Sequence, residues 1–236
     1  MIMFSLLMPV LAIGAEENKM EKLHALSKRQ QCIIPIAAFT ADDDINQLKS
    51  ALNQGLDAGL TVNEIKEVLV HLYAYTGFPR SLNALSAFME VMDERKAKGI
   101  EDTLGKEASP VPPDMDRDEY GAKVRAKLAG RETDISNARW QLFSPAIDTF
   151  LKEHLFADLF VRNVISHQDR ELATIAALSN MTGTKGQLGF HLGAAMNIGL
   201  TEAQMNDFIS VLATKVDKKI AEDADGLLKK VLNSRK

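Results

Sequence analysis

Gly55-Leu56-Asp57-Ala58-Gly59-Leu60-Thr61-Val62-Asn63-Glu64 returns as Ala195-Met196-Asn197-Ile198-Gly199-Leu200-Thr201-Glu202-Ala203-Gln204, an offset of 140 residues (Gly59 against Gly199). The shared Gly-Leu-Thr-x-x-Glu/Gln has a mechanical meaning. Glycine ends one helix by taking the left-handed position just past its C-terminus. Threonine then caps the next helix, and the Glu or Gln three residues on completes a capping box. Upstream, Ile36-Ala37-Ala38-Phe39 answers Ile175-Ala176-Ala177-Leu178, one residue out of that register. Two copies of one helical unit follow from this pairing.

Working outward, apolar residues recur at helical spacing after Met20, and no segment sustains the alternation of a strand, so the chain reads as all-α. Helices are expected at about 21–39, 43–58, 62–76 and 79–98 in the first repeat (21–98). In the second (166–236) they are expected at about 168–181, 186–198, 202–214 and 216–234. The stretch 99–165 reads as a linker with connecting helices. Pro110, Pro112 and Pro113 keep Gly99 to Asp118 extended, and helices are expected at about 117–129 and 145–165. In the last helix Ile220, Ala224, Leu227, Leu228 and Val231 share one face.

The 236 residues are 46% hydrophobic with 28 Lys+Arg against 32 Asp+Glu, enough to bury a core. No basic cluster offers nucleic acid a footprint, so no such partner is expected. A single cysteine, Cys32, excludes an intramolecular disulfide, a CxxC pair and a thiolate-rich metal site. Met1 to Ala15 is uncharged and too short to span a bilayer. It suits a signal peptide, with small residues at Gly14 and Ala15 for cleavage, although it lacks a basic n-region. This implies a periplasmic or secreted protein with no stable membrane insertion after cleavage. An uncleaved anchor, or a buried segment of a cytoplasmic protein, are the alternatives.

Chemistry concentrates in few residues. Glu171 sits beside a core-facing stripe (Leu172, Ile175, Ala176, Ser179), and His191 lies in a small, apolar helix. An antiparallel hairpin of those helices would join carboxylate and imidazole into a proton-transfer pair; a core histidine beside a buried acid is the plain alternative. His71 and Tyr75 are an i, i+4 pair on one face. Gly77-Phe78-Pro79-Arg80 then places Arg80 in the first turn of the next helix, a poor place for a cation without another partner, such as an anion. The repeats are complementary: Cys32 or Gln31 matches Glu171, Ala51 matches His191, Val211 matches His71 and Lys215 matches Tyr75. One composite site is the expectation. His24, His154 and His167 show no ligand spacing, Gly183-Thr184-Lys185-Gly186 reads as a turn rather than a phosphate loop, Cys32 as a buried, unreactive thiol, and Trp140 and Phe143 as core.

Glu64-Ile65-Lys66-Glu67-Val68-Leu69-Val70-His71-Leu72-Tyr73-Ala74-Tyr75-Thr76-Gly77-Phe78-Pro79-Arg80-Ser81-Leu82-Asn83-Ala84-Leu85 resembles the signature of the carboxymuconolactone decarboxylase family. Arg170 to Leu178, with His191-Leu192-x-x-Ala195-x-Asn197-x-Gly199-Leu200-Thr201, is similar to the upstream half of the same domain, and Tyr120 to Arg125 to the linker of tandem members. The resemblance implies an alkylhydroperoxidase-D-like fold and a homo-oligomer, a trimer or similar ring. It implies either a thiol peroxidase, which needs a CxxC where this chain has Gly183-Thr184-Lys185-Gly186, or a cofactor-independent decarboxylase of a lactone. The second fits the residues present, with a small carboxylated or lactone substrate. His191, oriented by Glu171, would be the general acid/base, His71 and Tyr75 would hold an enolate oxygen, and Arg80 would attract a carboxylate. A non-catalytic binding or assembly protein on the same scaffold is the competing class. An accessible pocket holding Glu171, His191 and His71 together would favour the enzyme.

Overall fold

The computed structural model describes residues 25–235; the expected signal segment, Met1 to Ala15, lies outside them. Every regular element among the described residues is helical. Helices α1 (Lys28–Asp42), α2 (Ile45–Asp57) and α3 (Val62–Ala97) make the first repeat. Helix α4 (Arg117–Leu128), two short helices α5 (Arg139–Phe143) and α6 (Pro145–Thr149), and a π-helix (Phe150–Leu159) follow the extended connection. Helices α7 (His167–Ser179), α8 (Lys185–Asn197), α9 (Glu202–Lys215) and α10 (Lys218–Ser234) make the second repeat. None of these helices is long and apolar enough to cross a membrane.

The repeated turn is built alike in both copies. Gly59 and Gly199 have φ of 91° and 107°. Leu60 N–H donates to Gly55 O and Leu200 N–H to Ala195 O, at 2.9 and 3.0 Å, the six-to-one bond of a Schellman motif. Thr61 with Glu64, and Thr201 with Gln204, then form full capping boxes.

Elsewhere the elements differ from their expected limits. α1 begins at Lys28 because Ser27 and Gln30 form a capping box there. The break expected at Gly77 is present as a kink inside α3, at φ 81° and ψ 161°. The single helix expected over 145–165 is instead α6 running into the π-helix, which ends at Leu159. Its wider i→i+5 turns bury Leu155, Phe156 and Leu159 together with Val124, Leu128, Phe160 and Ala194 in a second, smaller core. Close approach is possible because residue 121 is glycine: a Cβ there would stand 2.0 Å from the carbonyl oxygen of Lys152. The main core is Ile, Leu, Val and Ala from α1, α2, α3 and α7 to α10.

Candidate active site

Helix α7 is buried from Arg170 to Leu178, so its polar residues must find partners inside the protein. Glu171 does so across the α7–α8 hairpin, where Oε2 accepts from His191 Nδ1 at 2.8 Å. A carboxylate only accepts, so Nδ1 carries the proton and Nε2 is the ring nitrogen left for a ligand. The second carboxylate oxygen, Oε1, is buried with no hydrogen bond.

Tyr75 comes from α3, in the turn before the kink. Its ring meets His191 edge-on at 5.4 Å and 81°. Its hydroxyl is buried beside Thr174, with no well-formed hydrogen bond. Burial, and then the Glu171 carboxylate, push the phenol well above its ordinary pKa, so it holds its proton. Tyr75 and His191 both line a cavity of about 610 Å³, whereas Glu171 and His71 are fully buried behind it, so of the three residues expected to share a pocket only His191 reaches it. The rest of the wall is chiefly apolar, including Leu151, Leu155, Phe156, Leu178 and Phe190, with Thr184 and Gln187 beside His191.

His71 stands behind this wall, fully buried, 5.3 Å ring to ring from Tyr75. Arg170 Nη1 lies 3.4 Å from His71 Nδ1, and a guanidinium can only donate. His71 is therefore the Nε2–H tautomer, donating to Thr174 Oγ1 at 2.9 Å, while the Thr174 hydroxyl donates to Arg170 O at 2.9 Å. Burial, and then the Arg170 charge, hold His71 well below the usual histidine pKa, which keeps it neutral. With both nitrogens engaged it offers no donor to an enolate, so it orients Tyr75 and Thr174 instead.

Arg80 is not part of the cavity wall either. It follows the Gly77 kink, which redirects the second half of α3. The cation at the wall is Arg125, from α4. Trp140 and Phe143 are not core: they are 41% and 88% exposed, and Trp140 lines the cavity. The five-residue α5 is too short to bury an all-round apolar surface. Cys32 is buried, and burial pushes its thiol up against the opposing effect of Lys215.

A further cluster supports the site. Glu67 accepts two bonds from Arg162 Nε and one from Arg162 Nη2, at 3.0, 3.0 and 2.8 Å. It also accepts from Arg170 Nη2 at 2.6 Å. Burial works against the Glu67 carboxylate, but Arg162 and Arg170 outweigh it and hold its pKa below the usual range. The signal for Glu67 was its i, i+4 relation to His71; Arg170 stood next to Glu171 in the motif itself. Among the described residues no group of three or more His, Cys, Asp or Glu side chains is placed to hold a metal.

The repeat gives the cavity a counterpart at the matching positions. Its lining includes Phe39, Gln47, Ser50, Ala51, Thr214 and Lys215, around about 340 Å³. These match Leu178, Gln187, Phe190, His191, Ala74 and Tyr75 of the larger cavity. Both cavities draw on both repeats, but only one has the Glu–His pair and the tyrosine.

A family model described as the Carboxymuconolactone decarboxylase family matches residues 14–90 and 145–229. No curated protein matches the chain. The first match holds His71 and Tyr75 and the second Glu171 and His191, so the composite site is split across two copies of one domain, and the chain belongs to the carboxymuconolactone decarboxylase family as a tandem-repeat member.

Proposed function

We propose that the protein is an enzyme doing cofactor-independent acid/base chemistry on a small lactone or carboxylated substrate. One observation carries this reading: His191, with Nδ1 pinned by buried Glu171, lies in the wall of a largely apolar cavity, with the Tyr75 ring edge-on to it. His191 Nε2 takes a proton from carbon next to the substrate carbonyl. The Tyr75 O–H, buried behind the wall, turns toward the cavity to donate a hydrogen bond to the oxygen as it becomes an enolate, keeping its own proton throughout. His191 then returns the proton to the same or a conjugated carbon. If the substrate carries a carboxylate there, loss of CO₂ produces the same enolate, and His191 protonates it with a proton that Nε2 has first taken from water. Such a positioned base contributes ~10²–10⁴-fold.

A thermal-shift screen of acidic lactones and quinone-like compounds identifies ligands, because a bound ligand stabilises the native state. Turnover of those ligands should disappear in His191→Ala while the helical CD spectrum stays unchanged. Turnover retained in His191→Ala would remove His191 from the reaction and contradict this reading.

A further inference from the structure

The polar groups of the cavity decide which of those substrates it accepts, if the cavity is the substrate site proposed above. A carboxylate entering it leaves water for a largely apolar wall, which costs several kcal/mol unless a cation receives it. Arg125 is the candidate receptor, and it is already taken. Its Nε and Nη2 donate to Asp134 at 2.7 and 2.6 Å. Its Nη1 donates to Asp148 at 2.5 Å, and Nη2 also donates to Ile135 O at 3.3 Å. Four of its five N–H groups are thus used, by two carboxylates against one positive charge. Lys152 comes within 4.0 Å of Asp148 but is paired with Asp118. Arg80, the other sequence candidate, lies outside the cavity wall. What remains for a ligand is one uncharged hydrogen-bonding end, His191 Nε2 with the Gln187 side chain beside it and the buried Tyr75 O–H behind it, facing aromatic and aliphatic walls.

We infer that the site takes an uncharged, ring-containing carbonyl compound, a lactone or quinone-like molecule, and discriminates against carboxylates. The reaction is then a proton transfer with no loss of CO₂. A C–H bond breaks as His191 Nε2 gains the proton, the electron pair moves into the enolate held by Tyr75, and a C–H bond forms at the conjugated carbon as His191 gives the proton back. Atoms and charge balance with no co-reactant, and substrate and product are isomers.

Coumarin and coumarin-3-carboxylate differ by the one charge at issue. Isothermal titration of the full chain at neutral pH should show coumarin binding at least about tenfold more tightly. The pair Asp134→Asn with Asp148→Asn frees the Arg125 charge and should narrow that preference about tenfold or reverse it. Asp148→Asn alone, which keeps an acceptor for Arg125, should shift it in the same direction and serves if the double variant does not fold. Equal or tighter binding of the carboxylate by the unaltered protein would overturn the inference, as would binding of neither probe or an unmoved preference in folded variants. Binding is read here without turnover. Failure therefore leaves the acid/base role of His191 standing, whereas turnover retained in His191→Ala removes that role and leaves the binding preference intact.

Discussion

Three aromatic side chains in sequence, His71, Tyr75 and His191, separate positioning from chemistry. His71 is locked between Arg170 and Thr174, so only Tyr75 and His191 meet the cavity. Tyr75→Phe deletes a donor to a developing oxyanion and leaves the packing. Its expected effect is a fall of ~10²–10³-fold in kcat with KM and melting temperature little changed; an unchanged kcat would remove Tyr75 from the reaction. The depressed pKa of His71 also has a stability consequence. Below the unfolded value of 6.5 the unfolded chain binds a proton that the folded protein refuses. Stability is therefore full above that pH and falls as pH drops below it, by up to about 1.4 kcal/mol per pH unit for each such group. His167, also depressed by burial, adds to the same slope. Chemical denaturation between pH 7 and 5 should show this slope, and His71→Gln should flatten it. The sequence revealed the i, i+4 pairing of His71 and Tyr75 but not which of them faces a ligand, because that depends on Arg170, a neighbour only in space.

At the level of elements, α7 supplies Glu171 to the site and is held by Arg170, its first buried residue. Arg170→Met leaves Glu67 in the interior with only the half-exposed Arg162. A loss of ~3–5 kcal/mol is expected from breaking one side of a buried ion pair, measured by urea denaturation; a loss below 1 kcal/mol would contradict the buried network. The outer wall depends on α4 meeting the π-helix at Gly121. Gly121→Ala should cost ~1–3 kcal/mol through overpacking and weaken coumarin binding as the wall shifts. Helix limits at the Thr61–Glu64 and Thr201–Gln204 capping boxes were legible because these residues act locally and recur in both repeats, whereas the Ser27–Gln30 box that starts α1 was passed over. The segment 131–165 was not: Trp140 and Phe143 look like core residues, and nothing local distinguishes a π-helix from an α-helix when packing against α4 selects the wider turn. Arg80 was misplaced for a related reason, since a glycine kink states where a helix bends but not toward what.

For the whole molecule, duplication explains why the site is composite and why its counterpart around Ala51 and Lys215 lacks the acid–histidine pair. That asymmetry was readable from the repeat alignment alone, whereas the cavity, made of segments far apart in sequence, was not. Phe78, Leu82 and Met89 are left exposed along the second half of α3, and with the ring assembly implied by the family they support a homo-oligomer as a further proposal. Multi-angle light scattering should give a mass of several chains, reduced by Leu82→Lys with Met89→Lys; a monomeric unaltered protein would contradict it. The central claim is that His191 moves protons at carbon. α-Angelica lactone, an uncharged lactone that isomerises by proton transfer, tests it in D₂O by ¹H NMR. The unaltered protein should accelerate deuterium incorporation over buffer and His191→Ala should lose at least about 100-fold of that rate; no acceleration by the unaltered protein, or equal rates in the two, would contradict the account.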